Sequence, residues 1–284
     1  MATSDQLLVV IDPVARHSDG ESVRIAKDVL SAGAATKVCL PQGPEEFARA
    51  LDRRGSRRPV VVGDDRALLR AVTLLHRRRE LTGTGLSLVP VGPALCLARS
   101  LGVPTGAVAA ARAVLDGVER RLDLLVDDSD GVVLGELRIP SAPCESSVPL
   151  RRDGAPSAAG RLLRARRSLV RNLGRPPRLA SPAAPPVSPR LRVEVDGVTL
   201  VDLDQPLARV SVTPGSSGAA VVEVSRLSVG AEAAPLAARG RTVTVSGADF
   251  RYQADAVTGG PVRSRTWTVW EGAWGLTVPA SPSA

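Results

Sequence analysis

The sequence predicts an N-terminal doubly wound parallel α/β domain followed by an antiparallel β-sandwich-like domain. In the first half, short continuous apolar runs alternate with segments of helical periodicity. This is the pattern of parallel strands that are buried on both faces and joined by helices. After residue 190 the apolar period becomes two and turn residues are frequent, which is typical of antiparallel strands. The 284 residues are enough for two modest domains.

The first apolar run, 7–11, predicts a strand buried on both faces. A helix over about 21–31 follows it, with Ser18 or Asp19 available as the N-cap. The same alternation predicts further strands at 37–40, 60–62, 86–89 and 122–126, with helices after Pro44, Asp65, Pro93 and Ala107.

Composition shifts divide the chain into three predicted regions: an α/β domain at 1–140, a linker region at 141–190 and a β-rich domain at 191–284. The three tryptophans cluster near the C-terminal end, where they either fill the β-domain core or form an exposed partner site. The linker region contains a predicted basic amphipathic helix at about 161–172, whose polar side carries Arg161, Arg164, Arg167 and Arg171. This helix either lies on an anionic membrane or connects the domains with a solvated face.

The net charge of +8 does not by itself indicate a nucleic-acid partner, and we expect none. Arginine, alanine, glycine, proline and valine are all frequent, as GC-rich bacterial codon usage produces, and only two lysines occur. Aromatic residues make up 2% of the chain, so the core must be aliphatic. Local clusters of arginine are therefore more informative than the total charge.

No signal peptide or membrane-spanning run is apparent in the sequence. The three cysteines are odd in number and far apart, so we expect no disulfide and a reducing compartment. These features predict a cytoplasmic protein, with peripheral association at the inner membrane surface left open. A homodimer and a protein partner are also left open.

The candidate site lies within residues 59–104. One predicted strand ends in Gly63-Asp64-Asp65, and a second ends in Pro90-Val91-Gly92. In open α/β sheets, ligands bind in the crevice outside the carboxyl ends of the strands. The two turns are therefore the place to look for a nucleotide site.

Residues 90–123 resemble the diacylglycerol kinase catalytic-domain superfamily, which includes bacterial lipid kinases. Its members typically read P-L-G-T-G-N-D-F-A-R-x-L-G-I-P, then a helix, then R-x-I-D. This chain keeps that register without a gap at Pro90, Gly92, Ala98, Arg99, Leu101, Gly102, Pro104, Arg121 and Asp123.

The resemblance implies a nucleotide-binding α/β domain, a β-rich domain and a last strand near 274–280 that returns to the first domain. It implies ATP and Mg²⁺ as cofactors and a lipid hydroxyl as the phosphoryl acceptor. Asp64 would be the catalytic acid and the only candidate metal ligand. The implied cofactor-binding residues are Asp12, Gly63, Asp64, Arg66 and Gly92.

Most of the superfamily's ligand-binding positions differ in this chain. The G-G-D-G-T turn aligns with residues 62–66, where Asp65 places a carboxylate beside the expected phosphate and Arg66 could partly compensate. Such a like-charge contact costs a few kcal/mol at an effective dielectric near 20. The T-G-N-D turn becomes Pro93-Ala94-Leu95-Cys96, and the final D-G-E becomes Asp255-Ala256-Val257.

Two functional hypotheses follow. The first is a lipid-kinase-like protein with impaired or lost phosphotransfer, which acts as a binding or regulatory protein. The alternative is a divergent but active ATP-dependent lipid kinase. Asp64 and Asp65 also have a purely structural interpretation, because an aspartate before a helix commonly caps it.

Overall fold

The computed structural model describes residues 6–140, 189–227 and 234–280, all of which belong to one compact unit. The predicted basic helix and its arginines Arg161, Arg164, Arg167 and Arg171 lie outside the described residues. The described strands form one mixed sheet, in which parallel strands come first and antiparallel strands follow. This confirms the predicted fold class.

The first part of the chain alternates strands and helices. Its strands are β1 Gln6–Ile11, β2 Ala35–Cys39, β3 Arg58–Gly63 and β4 Gly85–Pro90. Its helices are α1 Pro13–Ser18, α2 Gly20–Gly33, α3 Pro44–Asp52, α4 Asp65–Arg77, α5 Cys96–Ser100 and α6 Ala107–Asp116.

The four first strands pair in parallel in the order β4-β3-β1-β2, so β2 lies at the edge. The continuous aliphatic runs of β1 and β3 are buried on both faces, as periodicity predicted. Helices α2 and α6 cover one face of these strands, and α3 and α4 cover the other. This is the doubly wound arrangement, whose crevice opens at the strands' carboxyl ends.

The second part is antiparallel. Its strands are β5 Val118–Asp127, β6 Val132–Val133, β7 Leu137–Ile139, β8 Leu191–Val195, β9 Val198–Val201, β10 Leu207–Pro214, β11 Ala220–Arg226, β12 Leu236–Gly240, β13 Thr242–Ala254 and β14 Val257–Val278. An aliphatic core lies beneath them, with Trp267 and Tyr252 in edge-to-face contact at 5.3 Å between ring centroids. The low aromatic content therefore still provides a few large core residues.

Strand β14 is longer than the sequence pattern suggests. The resemblance implies a last strand near 274–280, whereas the structure has one strand over Val257–Val278 with a register shift between Trp270 and Trp274. Gly272, at φ +51°, lies inside this irregularity and interrupts the apolar pattern. Strand β14 pairs with β13 and β5 in antiparallel fashion and with β4 in parallel. It therefore hydrogen-bonds to both parts of the fold.

The cysteines correct one expectation from the sequence. Cys96, at the start of α5, is disulfide-bonded, whereas Cys39 is free. The spacing argument was wrong because a disulfide depends on the distance between two residues in space, which separation along the chain does not reveal. None of the described helices is both long and apolar enough to cross a membrane.

The tryptophans of β14 provide a test of this core. Trp274 is fully buried, whereas Trp270 is 48% exposed. We expect Trp274→Ala to lower the free energy of unfolding by about 3–5 kcal/mol, because it leaves a large cavity. We expect Trp270→Ala to cost less, about 1 kcal/mol, because half of its side chain already faces solvent; the aromatic contact that it loses is with His76, at 5.1 Å between ring centroids. Urea unfolding measures both, and equal losses would contradict the placement of Trp274 in the core.

Candidate functional site

The carboxyl ends of β1, β3 and β4 meet through tightly packed turns. The amide of Asp12 donates to Val62 O at 2.9 Å, and the amide of Val91 donates to Gly63 O at 3.0 Å. A Cβ on Gly63 would lie 2.5 Å from the Cβ of Ala67, so only glycine fits there. Gly92 has φ +136°, and a Cβ on it would lie 2.9 Å from the Cβ of Asp64. Both glycines are thus required for the packing of these turns.

Asp12 is buried and has two partners. Its Oδ1 accepts the amide of Val14 at 2.8 Å and so caps α1, while its Oδ2 lies 2.6 Å from Nη1 of Arg70. The Arg70 guanidinium also lies 5.4 Å from the ring centroid of Phe47. Sequence reasoning missed Arg70, because nothing in the chain indicates which arginine of α4 faces the end of β1.

Asp64 is the N-cap of α4. Its Oδ1 accepts the amides of Arg66 at 3.1 Å and Ala67 at 3.2 Å. This is the structural role that an aspartate before a helix commonly has. The Asp64 side chain is buried, whereas that of Arg66, two residues later, is exposed.

Asp65 binds the start of α5. Its Oδ2 accepts the amide of Leu97 at 2.9 Å, and its Oδ1 accepts the amide of Ala98 at 3.0 Å. Burial raises the pKa of Asp65, the backbone donors of α5 oppose this rise, and the charge of Asp64 adds to it. The extra carboxylate that the sequence places at the first turn therefore accepts hydrogen bonds from backbone amides that follow the second turn.

A third carboxylate, that of Asp255, reaches the same region from the second part of the chain. It accepts the amides of Leu134 at 2.7 Å, Gly135 at 2.8 Å and Glu136 at 2.9 Å. A Cβ on Gly135 would lie 2.7 Å from Cδ1 of Leu97, so this segment packs directly on α5. Burial raises the pKa of Asp255 to about 6, and the charge of Asp65 contributes.

The structure therefore brings Asp12, Gly63, Asp64 and Gly92 together at one sheet edge. All four are residues that the resemblance implies for cofactor binding. It also adds Asp65 and Asp255, whose carboxylates bind neighbouring backbone. Among the described residues, no group of three or more histidine, cysteine, aspartate or glutamate side chains is arranged to hold a metal ion.

Solved structures share this fold. A protein described as a "putative diacylglycerol kinase" from Bacillus anthracis str. Sterne superposes with a TM-score of 0.67 and 12% identity over 98% of each chain. The chain has a diacylglycerol-kinase-like fold. A second such structure from that organism gives a TM-score of 0.66 at 11% identity, and a third, of a diacylglycerol kinase, gives 0.65 at 10%, both over 98% of each chain.

No protein-family model matches the sequence, and no curated protein matches it. At identities this low, the diacylglycerol-kinase-like fold is what the comparison establishes, and function must be argued from the site. The resemblance predicted from Pro90, Gly92 and the residues after them is thereby confirmed for the fold.

The raised pKa of Asp255 predicts a pH dependence of stability. The folded protein binds this proton more tightly than the unfolded chain, so protonation favours folding. The contribution is fully present below about pH 4 and is lost as the pH rises through about 6. A difference of two pKa units corresponds to about 3 kcal/mol.

We compare the free energy of unfolding of the wild type with that of Asp255→Asn. The difference between the two should fall by up to about 3 kcal/mol between pH 4 and pH 7. Urea unfolding across this range measures the difference. Asp202→Asn is the matched control, because Arg192 lowers the pKa of exposed Asp202 and its contribution is constant over the same window. A flat difference for Asp255→Asn would contradict the burial of its charge.

Proposed function

We propose that this protein is a diacylglycerol-kinase-like scaffold that has lost phosphoryl transfer from ATP and acts as a binding or regulatory protein. The observation that supports the proposal is the carboxylate of Asp65, which accepts the amides of Leu97 and Ala98 at 2.9 and 3.0 Å. Backbone amides at a turn of this kind are the donors that a phosphate uses. In this chain the carboxylate of Asp65 already accepts the hydrogen bonds of these amides.

The residues present do not fit ATP–Mg²⁺. A phosphate oxygen about 4 Å from the carboxylate of Asp65 would be repelled by about 4 kcal/mol at an effective dielectric of 20. Asp12, one of the implied cofactor-binding residues, is already paired with Arg70. Asp64 is engaged as a helix cap. The site thus offers negative charge where the nucleotide needs donors.

The alternative is a divergent but active lipid kinase that uses ATP and Mg²⁺. Two features favour it: Gly63 and Gly92 retain the tight packing of the turns, and Oδ2 of Asp64 accepts no hydrogen bond from the described residues. In that case Asp64 would be the catalytic acid, and Arg66 would have to offset the charge of Asp65.

Calorimetry separates the two functions. We expect no heat of binding when the wild type is titrated with ATP–Mg²⁺ up to millimolar concentration. We expect Asp65→Gly to bind detectably, because it removes the carboxylate and leaves the amides of α5 available. Asp65→Asn is the control of equal size, and it retains an acceptor for those amides. Wild-type binding that is lost in Asp64→Ala would instead establish the active kinase.

We also propose peripheral association at anionic membranes, through the predicted helix at 161–172. The arginine-rich side of this helix supports the proposal, since anionic lipid attracts such segments by about 1 kcal/mol per basic residue.

Co-sedimentation with vesicles that contain phosphatidylglycerol tests the membrane contact. We expect Arg164→Glu/Arg167→Glu to abolish it, because it removes most of the positive charge of the segment. Arg239→Glu/Arg251→Glu is the matched control, since it changes the net charge equally at exposed positions of β12 and β13. Sedimentation that is unchanged by the first pair would exclude this helix as the contact.

A further inference from the structure

A groove with a cavity volume of about 390 Å³ lies between edge strand β2 and helix α3. None of its lining residues belongs to the candidate functional site. Strand β2 contributes Lys37 and Cys39, and the following loop contributes Leu40 and Pro41. Helix α3 contributes Glu46, Arg49 and Ala50, together with its C-cap residue Arg53.

The outer edge of β2 is open within the described part of the chain. There β2 pairs only with β1, in parallel from Gln6↔Ala35 to Val10↔Cys39. An edge strand presents unpaired N–H and C=O groups, which can pair with another extended chain. Lys37 and Val38 are exposed on this strand. Beyond its end, Leu40 is 52% exposed and gives the groove an apolar patch.

The charge of the groove is positive. Its one acid, Glu46, accepts the amide of Gln42 at 2.8 Å and lies 3.8 Å from the guanidinium of Arg49, whose side chain is still 60% exposed. Neither Lys37 nor Arg53 forms an ion pair with any described residue. Three cations thus line an open strand edge, with one partly engaged acid among them.

The basic surface continues beyond Arg53. The loop after α3 is linked to the end of α4 by ion pairs from Arg78 to Asp52 and from Arg54 to Glu80. These pairs occupy both acids, whereas Arg77 and Arg79 remain exposed. The positive charge therefore extends from Arg53 to the end of α4.

We propose that this groove binds an extended acidic segment of a partner protein, which adds to the sheet as a strand beside β2. Backbone pairing with the open edge would provide the affinity, as in other cases of strand addition. Alternate side chains of the added strand would face the groove, where its carboxylates meet Lys37, Arg49 and Arg53. A five-residue edge such as β2 accommodates a segment of about 17 Å.

Other occupants fit less well. Nucleic acid is bound with aromatic stacking in most single-strand sites, and no aromatic side chain lines this groove. A second copy of this chain would bring basic groups against basic groups, because the net charge is +8. A membrane surface is too flat to enter the groove and does not pair with a strand edge.

Fluorescence anisotropy at physiological ionic strength tests the proposal with a labelled peptide of about seven residues that alternates glutamate and valine. We expect saturable binding to the full chain. Arg49→Glu/Arg53→Glu should weaken it by about tenfold or more, because it reverses two of the groove's charges. A peptide with proline at its central valine should not bind, since it lacks a backbone donor.

The control Arg239→Glu/Arg251→Glu makes the same charge change on β12 and β13, which are separated from β2 by at least four strands, and should leave the affinity within about twofold. Urea unfolding of both variants shows whether each remains folded. The proposal fails if no binding saturates, if both variants lose affinity equally, or if the proline peptide binds as well. It also fails if inorganic phosphate, or phosphatidylglycerol vesicles, bind through Arg49 and Arg53 in place of the peptide.

Discussion

The pairing of β14 with three other strands is the constraint on which the rest of the fold depends. This strand runs along β13 and β5 and then joins β4, so the antiparallel and parallel parts share one hydrogen-bonded sheet. The buried carboxylate of Asp123 secures its irregular middle, because it accepts the amides of Gly272 at 2.7 Å and Gly218 at 2.8 Å. Fully buried Trp267 and Trp274 anchor the strand on either side.

With β14 in place, the second part of the chain packs on α5, which follows the carboxyl end of β4. Asp255 then reaches the 134–136 segment beside α5, and Asp65 binds α5 from the other side. Buried carboxylates are costly unless backbone donors satisfy them, and both of these are satisfied in that way. The same hydrogen bonds that stabilise the crevice also place two carboxylates beside it.

Much of the fold was predictable because its signals are local. The buried runs of β1 and β3 and the helix start at Pro44 each follow from neighbouring residues. The continuity of β14 was not predictable, since Gly272 breaks the alternation and the strand is held by distant partners.

For the candidate site, Asp12, Gly63, Asp64 and Gly92 could be proposed from their place after strands. Arg70 and the backbone partners of Asp65 could not, because they lie on other elements of the fold.

The sequence by itself determined the order of strands and helices, the aliphatic character of the core and the loss of polar residues at 93–96, because all three are properties of neighbouring residues. Only the tertiary structure decided what the remaining acids do. Asp65 could have repelled a ligand in an open cleft or bound a nearby helix, and the choice depends on amides more than thirty positions away. Such contacts arise from the packing of distant segments, for which no local pattern exists.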